Sequence, residues 1–197
     1  MPGELMAKKH VFRPDKHRLK IVNHLILTQK QRKQVLKWGL CTLFLVLISV
    51  VQDVLLSRVR LFGATTELIP CAIFVIAILQ GPQTGSVFAL VASLFYLFSG
   101  AAPGIYSMVT ITFLAVGVTM FRQVFLQEGF FSCLLCTAGA MVAYELLNFV
   151  FGLVLGLVTL SRFYGFFITA GLTLVAVPVI YPLAKAIDRI GDQAWNE

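Results

Sequence analysis

The chain has 197 residues, of which 58% are hydrophobic and only 13% are charged, about half the charged share of a typical soluble domain. A soluble core of this size cannot bury so much apolar surface, whereas lipid solvates the outer faces of apolar helices. The net charge of +7 is not spread evenly, because ten of the sixteen Lys and Arg residues lie in residues 1–37. The composition therefore excludes an ordinary soluble domain, and we expect no nucleic-acid partner.

Residues 1–37 form a separate polar and basic region, predicted to be a cytoplasmic N-terminal tail. Within it Leu19, Val22 and Ile26 recur at helical spacing among basic and amide side chains. This pattern is typical of an amphipathic helix lying on anionic membrane lipids. It is equally typical of a solvated basic arm that only keeps the N-terminus inside. Both interpretations remain open from the sequence.

Residues 38–197 are predicted to form an all-α polytopic domain of about six transmembrane helices with a short cytoplasmic C-terminus. The apolar segments are 38–56, 67–80, 85–99, 105–121, 130–160 and 166–184. The second and third segments are short, and the Gly-Pro-containing turn between them suits a helical hairpin. The fifth is long, so we expect it to be tilted or to extend past the hydrocarbon.

The placement of basic residues predicts the topology. With the N-terminus inside, thirteen Lys and Arg residues fall on the inner side and three on the outer side. The three outer cations are Arg58, Arg60 and Arg162. We therefore expect a multi-pass protein of the cytoplasmic membrane with both termini in the cytoplasm.

The apolar segments contain no recognisable catalytic set. All three histidines precede residue 38, which argues against histidine catalysis or zinc chemistry within the membrane. Cys133 and Cys136 form a CxxC, but inside a Phe/Leu-rich segment such thiols behave as small hydrophobes. We therefore expect a protein that is not an enzyme and that needs no cofactor or metal.

Three carboxylates stand where burial is costly, namely Asp53, Glu67 and Glu145. Ionisable residues in a membrane span are functional candidates. Glu145 is the sharpest of the three, since Asn148 shares its helix face and no Lys or Arg lies in the apolar segments. One interpretation is a contact with a ligand or a partner helix. The other is a buried hydrogen bond that holds the fifth helix in register.

Small residues at four-residue spacing predict close helix approach in two segments. This spacing serves internal packing or homo-oligomerisation, and the sequence does not separate the two. The predicted packing positions are Gly85, Ala89 and Ser93 in the third segment, and Gly152 and Gly156 in the fifth.

The order of motifs between residues 52 and 100 resembles the MreD family of bacterial rod shape-determining membrane proteins. An arginine-bearing stretch leads to Phe62-Gly63 and then to Thr66-Glu67-Leu68, followed by the Gly81-Pro82 hairpin and by Ser99-Gly100. The later Tyr144-Glu145-Leu146 is similar to a Tyr-Glu-Leu in the family's fifth span. The chain departs from the pattern at Thr66, Ser93 and Leu97, where the family usually has proline, glycine and aspartate.

The resemblance implies a non-enzymatic scaffold subunit of the cell-wall elongation complex that maintains rod shape. Its implied partners are an MreC-like membrane protein and, indirectly, a class B penicillin-binding protein and a RodA-type glycosyltransferase of peptidoglycan synthesis. It also implies a bundle resembling the substrate-binding subunits of energy-coupling-factor transporters.

Two alternative functions remain open. The first is a substrate-binding subunit of an energy-coupling-factor type vitamin transporter, which would need an alanine-rich docking face on its first span. The chain has no alanine between Trp38 and Leu56, which counts against this alternative. The second is a small proton-coupled carrier that uses Glu145, for which a single carboxylate is slender support.

Overall fold

A computed structural model describes residues 29–56, 66–125, 129–159 and 163–192 of the chain, and these residues form helices joined by short connections without strands. Most of the basic tail, residues 1–28, lies outside the described residues, but its last part is helical. The helices are α1 Gln29–Val51, which continues as a π-helix over Gln52–Leu56, α2 Leu68–Phe98, α3 Ile105–Phe125, α4 Phe130–Val154, α5 Phe163–Leu174 and α6 Val177–Asp192.

Four stretches of the described residues are long and apolar enough to cross a membrane, and they lie in α1, α2, α3 and α4. The number rises to five if α5 and α6, which meet at an angle of 49°, are counted together as one bent span. By length and composition the molecule is therefore a multi-pass helical membrane protein with four or five candidate spans.

Helix α2 is a hairpin of two arms, residues 68–80 and 82–98. Gly81 between them has φ 82° and ψ 176°, a left-handed conformation that glycine adopts without strain, and Pro82 suits the first turn of the second arm. Gly85 follows Ala77 by eight residues, so in one continuous helix the two would lie about 12 Å apart along the axis. A Cβ built on Gly85 instead falls 3.0 Å from Ala77 Cα, so the second arm runs back along the first. The predicted hairpin is present.

Contacts between the elements show that neighbouring segments run in alternating directions. At one end of the bundle Gln80 Nε2 donates to Cys41 Sγ at 3.2 Å. There the guanidinium of Arg122, late in α3, also donates to the Ile78 carbonyl, which the break at Gly81 leaves without a helical partner. Lys37 Nζ and Asp188 Oδ1, 2.6 Å apart, join α1 to α6 at this same end. We call it the Gly81 end.

Most of the first arm of α2 forms the centre of the core. Every residue from Leu68 to Ile78 is buried, and α1, α3, α4 and α6 all pack against α2. The outer helices instead expose large apolar side chains on one side, such as Phe113 on α3 and Phe131 on α4. Such exposure is stable where lipid is the solvent.

Helix α4 ends at Val154, six residues before the predicted end of the fifth segment. Gly156 has φ 70°, and its N–H bonds the Leu153 carbonyl at 3.0 Å, while Leu157 N–H reaches the Gly152 carbonyl at 2.8 Å. This is a glycine-based helix termination. The prediction that Gly156 belongs to a packing stripe is therefore wrong, because the residue lies outside the helix and ends it.

Candidate functional site

The start of α2 is held by side chains from two distant helices. The backbone N–H of Glu67, the residue before α2, donates to Thr173 Oγ1 on α5 at 3.1 Å. The N–H of Ile69 donates to Gln52 Oε1 at 3.0 Å. The next residue, Pro70, has no N–H to satisfy. These contacts replace the usual N-cap side chain, since the Glu67 carboxyl makes no capping bond.

One face of α4 brings three polar residues into the bundle. Tyr144, Glu145 and Asn148 are buried, and Glu145 is only 3% exposed. The ring of Tyr144 packs edge-on against Phe74 in the first arm of α2, with ring centres 6.4 Å apart. Residues one helical turn apart share a face, so this is the polar face predicted for the fifth segment.

These side chains meet Glu67 and the second arm of α2. The Glu67 carboxyl lies beside the hydroxyls of Tyr96 and Tyr144. Tyr144 also faces Asn148, and Glu145 is close enough to Glu67 for the two carboxyls to interact electrostatically. We call Glu67, Tyr96, Tyr144, Glu145 and Asn148 the polar cluster.

The polar cluster contains more hydrogen-bonding capacity than its members use. Its members lie close enough to interact with one another, but the following buried atoms make no hydrogen bond of good geometry: Glu67 Oε2, Tyr96 Oη, Tyr144 Oη, Glu145 Oε1, and Asn148 Nδ2 and Oδ1. Buried polar atoms are nearly always bonded in folded proteins, so this concentration is unusual. Both donors and acceptors are available, and no Lys or Arg in the described ranges forms an ion pair with Glu67 or Glu145.

A recess next to the polar cluster opens between α4 and α5. It is small, with an interior of about 10 Å³ that is enough for a single water molecule, and Glu145 belongs to its lining. Phe149, Phe163 and Phe166 line it as well, and the ring of Phe149 packs edge-on against both others, with centres 5.3 and 5.2 Å apart. The recess is thus an aromatic pocket with one carboxyl in its wall.

The structure separates the predicted polar residues into two groups. Glu67, Glu145 and Asn148 come together in the polar cluster. Asp53 is exposed in the π-helical end of α1, outside the polar cluster. The sequence interpretation did not place Tyr96 in the site, although its position three residues before Ser99-Gly100 put it at the end of the third predicted segment.

Three of the predicted packing residues are buried together on the second arm of α2. Gly85 lies against the Ala77 backbone, Ala89 is fully buried, and Ser93 Oγ lies 3.2 Å from Thr112 Oγ1 on α3. The small-residue face therefore packs within this chain. Gly152 is also buried, where a Cβ would fall 2.8 Å from Val158 Cγ2 in the chain that follows α4.

The cysteines form no disulfide. Cys41, Cys71, Cys133 and Cys136 are all buried and free. In the described part of the chain no group of three or more His, Cys, Asp or Glu side chains is arranged to hold a metal ion. The CxxC of α4 therefore contributes packing to the core.

Comparison with protein-family models, with characterised proteins and with solved structures finds no match to this chain.

Proposed function

We propose that this chain is a six-span scaffold subunit of the bacterial wall-elongation complex, with both termini in the cytoplasm. The chain reversal at Gly81 supports six crossings, because it divides α2 into two antiparallel arms. Together with α1, α3, α4 and the bent α5–α6 pair, these arms make six segments. The concentration of basic residues in the tail and near the Gly81 end supports the orientation.

One observation carries the functional proposal: the separated motifs that resemble the MreD family meet in one place. Glu67 from Thr66-Glu67-Leu68 lies beside Tyr144 from Tyr144-Glu145-Leu146. Gln52, which opens the first motif run, bonds the first turn of α2. Glu67 and Tyr144 are 77 residues apart in the chain. Motifs so far apart are expected to meet if they belong to one family fold, whereas chance similarity between apolar stretches gives no reason for them to meet.

The proposed task is to hold an MreC-like membrane protein by helix contacts and, through it, the class B penicillin-binding protein and the RodA-type glycosyltransferase. The described residues lie almost entirely in helices, so the outer helix faces and the mouth of the recess are the surfaces available to a partner. Van der Waals packing and interhelical polar contacts drive such association in lipid.

The test is co-purification of the tagged full chain in mild detergent, followed by identification of the bound membrane proteins. Recovery of an MreC-like protein with the wall synthases is the expected result, and loss of rod shape on depletion of the chain should accompany it. Recovery of paired ATPases with an integral coupling subunit would overturn the proposal in favour of a vitamin transporter.

A proton-coupled carrier is a second candidate, favoured by the proximity of Glu67 to Glu145. The sequence pointed to a single carboxylate, but two neighbouring carboxyls with two tyrosine hydroxyls form a more plausible proton-binding group. Reconstituted vesicles with an inward pH gradient test this candidate. Proton flux that requires both Glu67 and Glu145 would favour the carrier over the scaffold.

A further inference from the structure

A wedge opens between α4 and α6 in the half of the bundle that contains the Gly81 end. Helix α5 packs against α4, but the 49° bend between α5 and α6 directs α6 towards α1 and α2, against which it packs. Leu135 precedes Val142 by seven residues, so it shares the face of α4 that α5 meets further along the helix. Below α5 this face is uncovered, and Phe131 and Leu135 are 81% and 63% exposed.

One stripe of α6 borders the wedge and changes from apolar to basic towards the Gly81 end. Pro178, Pro182, Lys185 and Arg189 follow at intervals of four, three and four residues, so they lie along one face of the helix. Lys185 Nζ donates to Tyr181 Oη at 3.3 Å and lies 5.4 Å from the centre of that ring, which in turn packs on the first residue of α4. The stripe is therefore on the α4 side of α6. Both prolines and Arg189 are exposed, and Lys185 is half-buried.

The start of α4 lies at the same end of the wedge and lacks a partner within the helix for its first amides. Gly129 supplies no side-chain cap, and the first turn of α4 contains no acidic residue. The Cys133 N–H is bonded to the Gly129 carbonyl at 3.1 Å, whereas the N–H groups of residues 130–132 precede the first helical bond. Such amides, together with the positive end of the helix dipole, favour an anion.

The charges around the stripe also favour an anion. Asp188 is already paired with Lys37, whose Nζ lies 2.6 Å from Asp188 Oδ1. Asp192 follows Lys185 by seven residues, about 10 Å further along the helix axis and away from the apolar part of the stripe. Within the described ranges neither Lys185 nor Arg189 forms an ion pair. Two cations next to an apolar wall are thus available to a negatively charged group.

We propose that the wedge binds an anionic phospholipid of the leaflet at the Gly81 end. Its phosphate lies between the two cations of the stripe and the first amides of α4. Its acyl chains run along Pro178 and Pro182 on one wall and along Phe131 and Leu135 on the other. Lysine and arginine hold headgroups in this way while their methylene stems stay in the apolar region. This inference goes beyond the scaffold function and does not depend on it.

The experiment is native mass spectrometry of the full chain in detergent with added phosphatidylglycerol or phosphatidylcholine of the same acyl composition. The two lipids differ in net charge, because the choline cation of the second offsets its phosphate. Each Lys or Arg next to an anionic headgroup contributes about fivefold in affinity, so two of them should give phosphatidylglycerol a preference of roughly 25-fold. Equal affinity for the two lipids would overturn the inference.

Variants of the chain locate the effect. Lys185→Gln combined with Arg189→Gln should abolish most of the preference. Lys8→Gln combined with Lys9→Gln is the matched control, because it removes the same charge from the basic tail, and it should leave the preference unchanged. A preference that survives the first change, or that falls equally in the control, contradicts the site.

A single substitution covers the case in which the double variant does not fold. Arg189→Gln changes one exposed side chain and should lower the preference for phosphatidylglycerol by about fivefold. Circular dichroism of the same sample checks that the helices are intact. An unchanged preference in this variant also contradicts the site.

Competition with a soluble phosphate separates a lipid from a free anion. Glycerol 3-phosphate carries a phosphate group without acyl chains, so a large excess should leave the bound phosphatidylglycerol in place. Displacement of the lipid would show that the cations alone bind an anion, and it would overturn the docking role of the apolar walls. Co-purification of wall-elongation proteins tests the scaffold function separately, and neither result decides the other.

Discussion

The hairpin of α2 depends on the absence of a side chain at Gly85. A Cβ built there lies 2.9 Å from the Ala77 carbonyl carbon and 3.0 Å from Ala77 Cα. Both neighbours are backbone atoms, so no side chain can rotate away. The Ala77 carbonyl oxygen lies closer still, so restoring an ordinary contact of about 3.5 Å requires the two arms of α2 to separate by roughly 1 Å.

The cost of Gly85→Ala follows from two opposing effects. Overpacking of a tight interior costs about 1–3 kcal/mol, and the helix preference of alanine over glycine returns up to about 1 kcal/mol. The free energy of unfolding should therefore fall by about 1–2 kcal/mol.

The assay is unfolding of the purified chain in mixed detergent micelles, followed by circular dichroism. Gly117→Ala on α3 is the matched control, because a Cβ at Gly117 meets no atom within 4 Å. We expect the control to be as stable as the wild type or slightly more stable. Equal stability of Gly85→Ala and Gly117→Ala would refute the conclusion that the arms touch through backbone at this point.

Three further predictions concern the Gly81 end of the bundle. Gly81→Ala places a Cβ at φ 82°, so we expect a loss of about 1–2 kcal/mol in the same unfolding assay; an unchanged midpoint would contradict the left-handed break. Arg122→Met removes the donor to the Ile78 carbonyl and a cation at a helix C-terminus, and should cost about 1–3 kcal/mol; Arg122→Lys should recover part of this if the charge matters. Lys37→Glu and Asp188→Lys should each lower the free energy of unfolding, since these side chains are 19% exposed and their charged atoms are 2.6 Å apart. The double variant, which exchanges the two charges, should regain most of that loss. If the two single losses simply add in the double variant, a direct contact is ruled out.

The sequence predicted those structural features that depend only on residues close together in the chain. The Gly81-Pro82 pair marked the hairpin, because a left-handed glycine followed by a first-turn proline both ends one helix and starts the next. The spacing of Glu145 and Asn148 predicted a common buried face, because helical periodicity depends on neighbours three and four residues away.

The end of α4 shows where hydropathy misleads. Residues 155–160 are as apolar as the helix before them, so the predicted segment ran on to residue 160. The glycine termination at Gly156 overrides that signal, because backbone conformation and not hydrophobicity ends the helix. Gly156 was visible in the sequence, but its spacing from Gly152 also matched a packing stripe.

The polar cluster was predictable only in part. Glu67 and Glu145 were recognisable because carboxylates are rare in apolar segments. Their proximity, and the inclusion of Tyr96, depend on how the arms of α2 fold back and how α4 crosses them. Such long-range contacts have no local pattern, and no matching family or structure supplies them.

The anchoring of α2 by Gln52 and Thr173 has a consequence for biosynthesis. The Ile69 amide finds its acceptor 17 residues earlier in the chain, so this bond can form as soon as α2 emerges. The Glu67 amide must wait for an acceptor 106 residues later, on α5. At about 5–20 residues per second, synthesis leaves that donor without its final partner for roughly 5–20 seconds. Truncated chains that stop before α5 should therefore insert with a frayed start of α2, and addition of residues 163–174 should be the step that gives the Glu67 amide its acceptor.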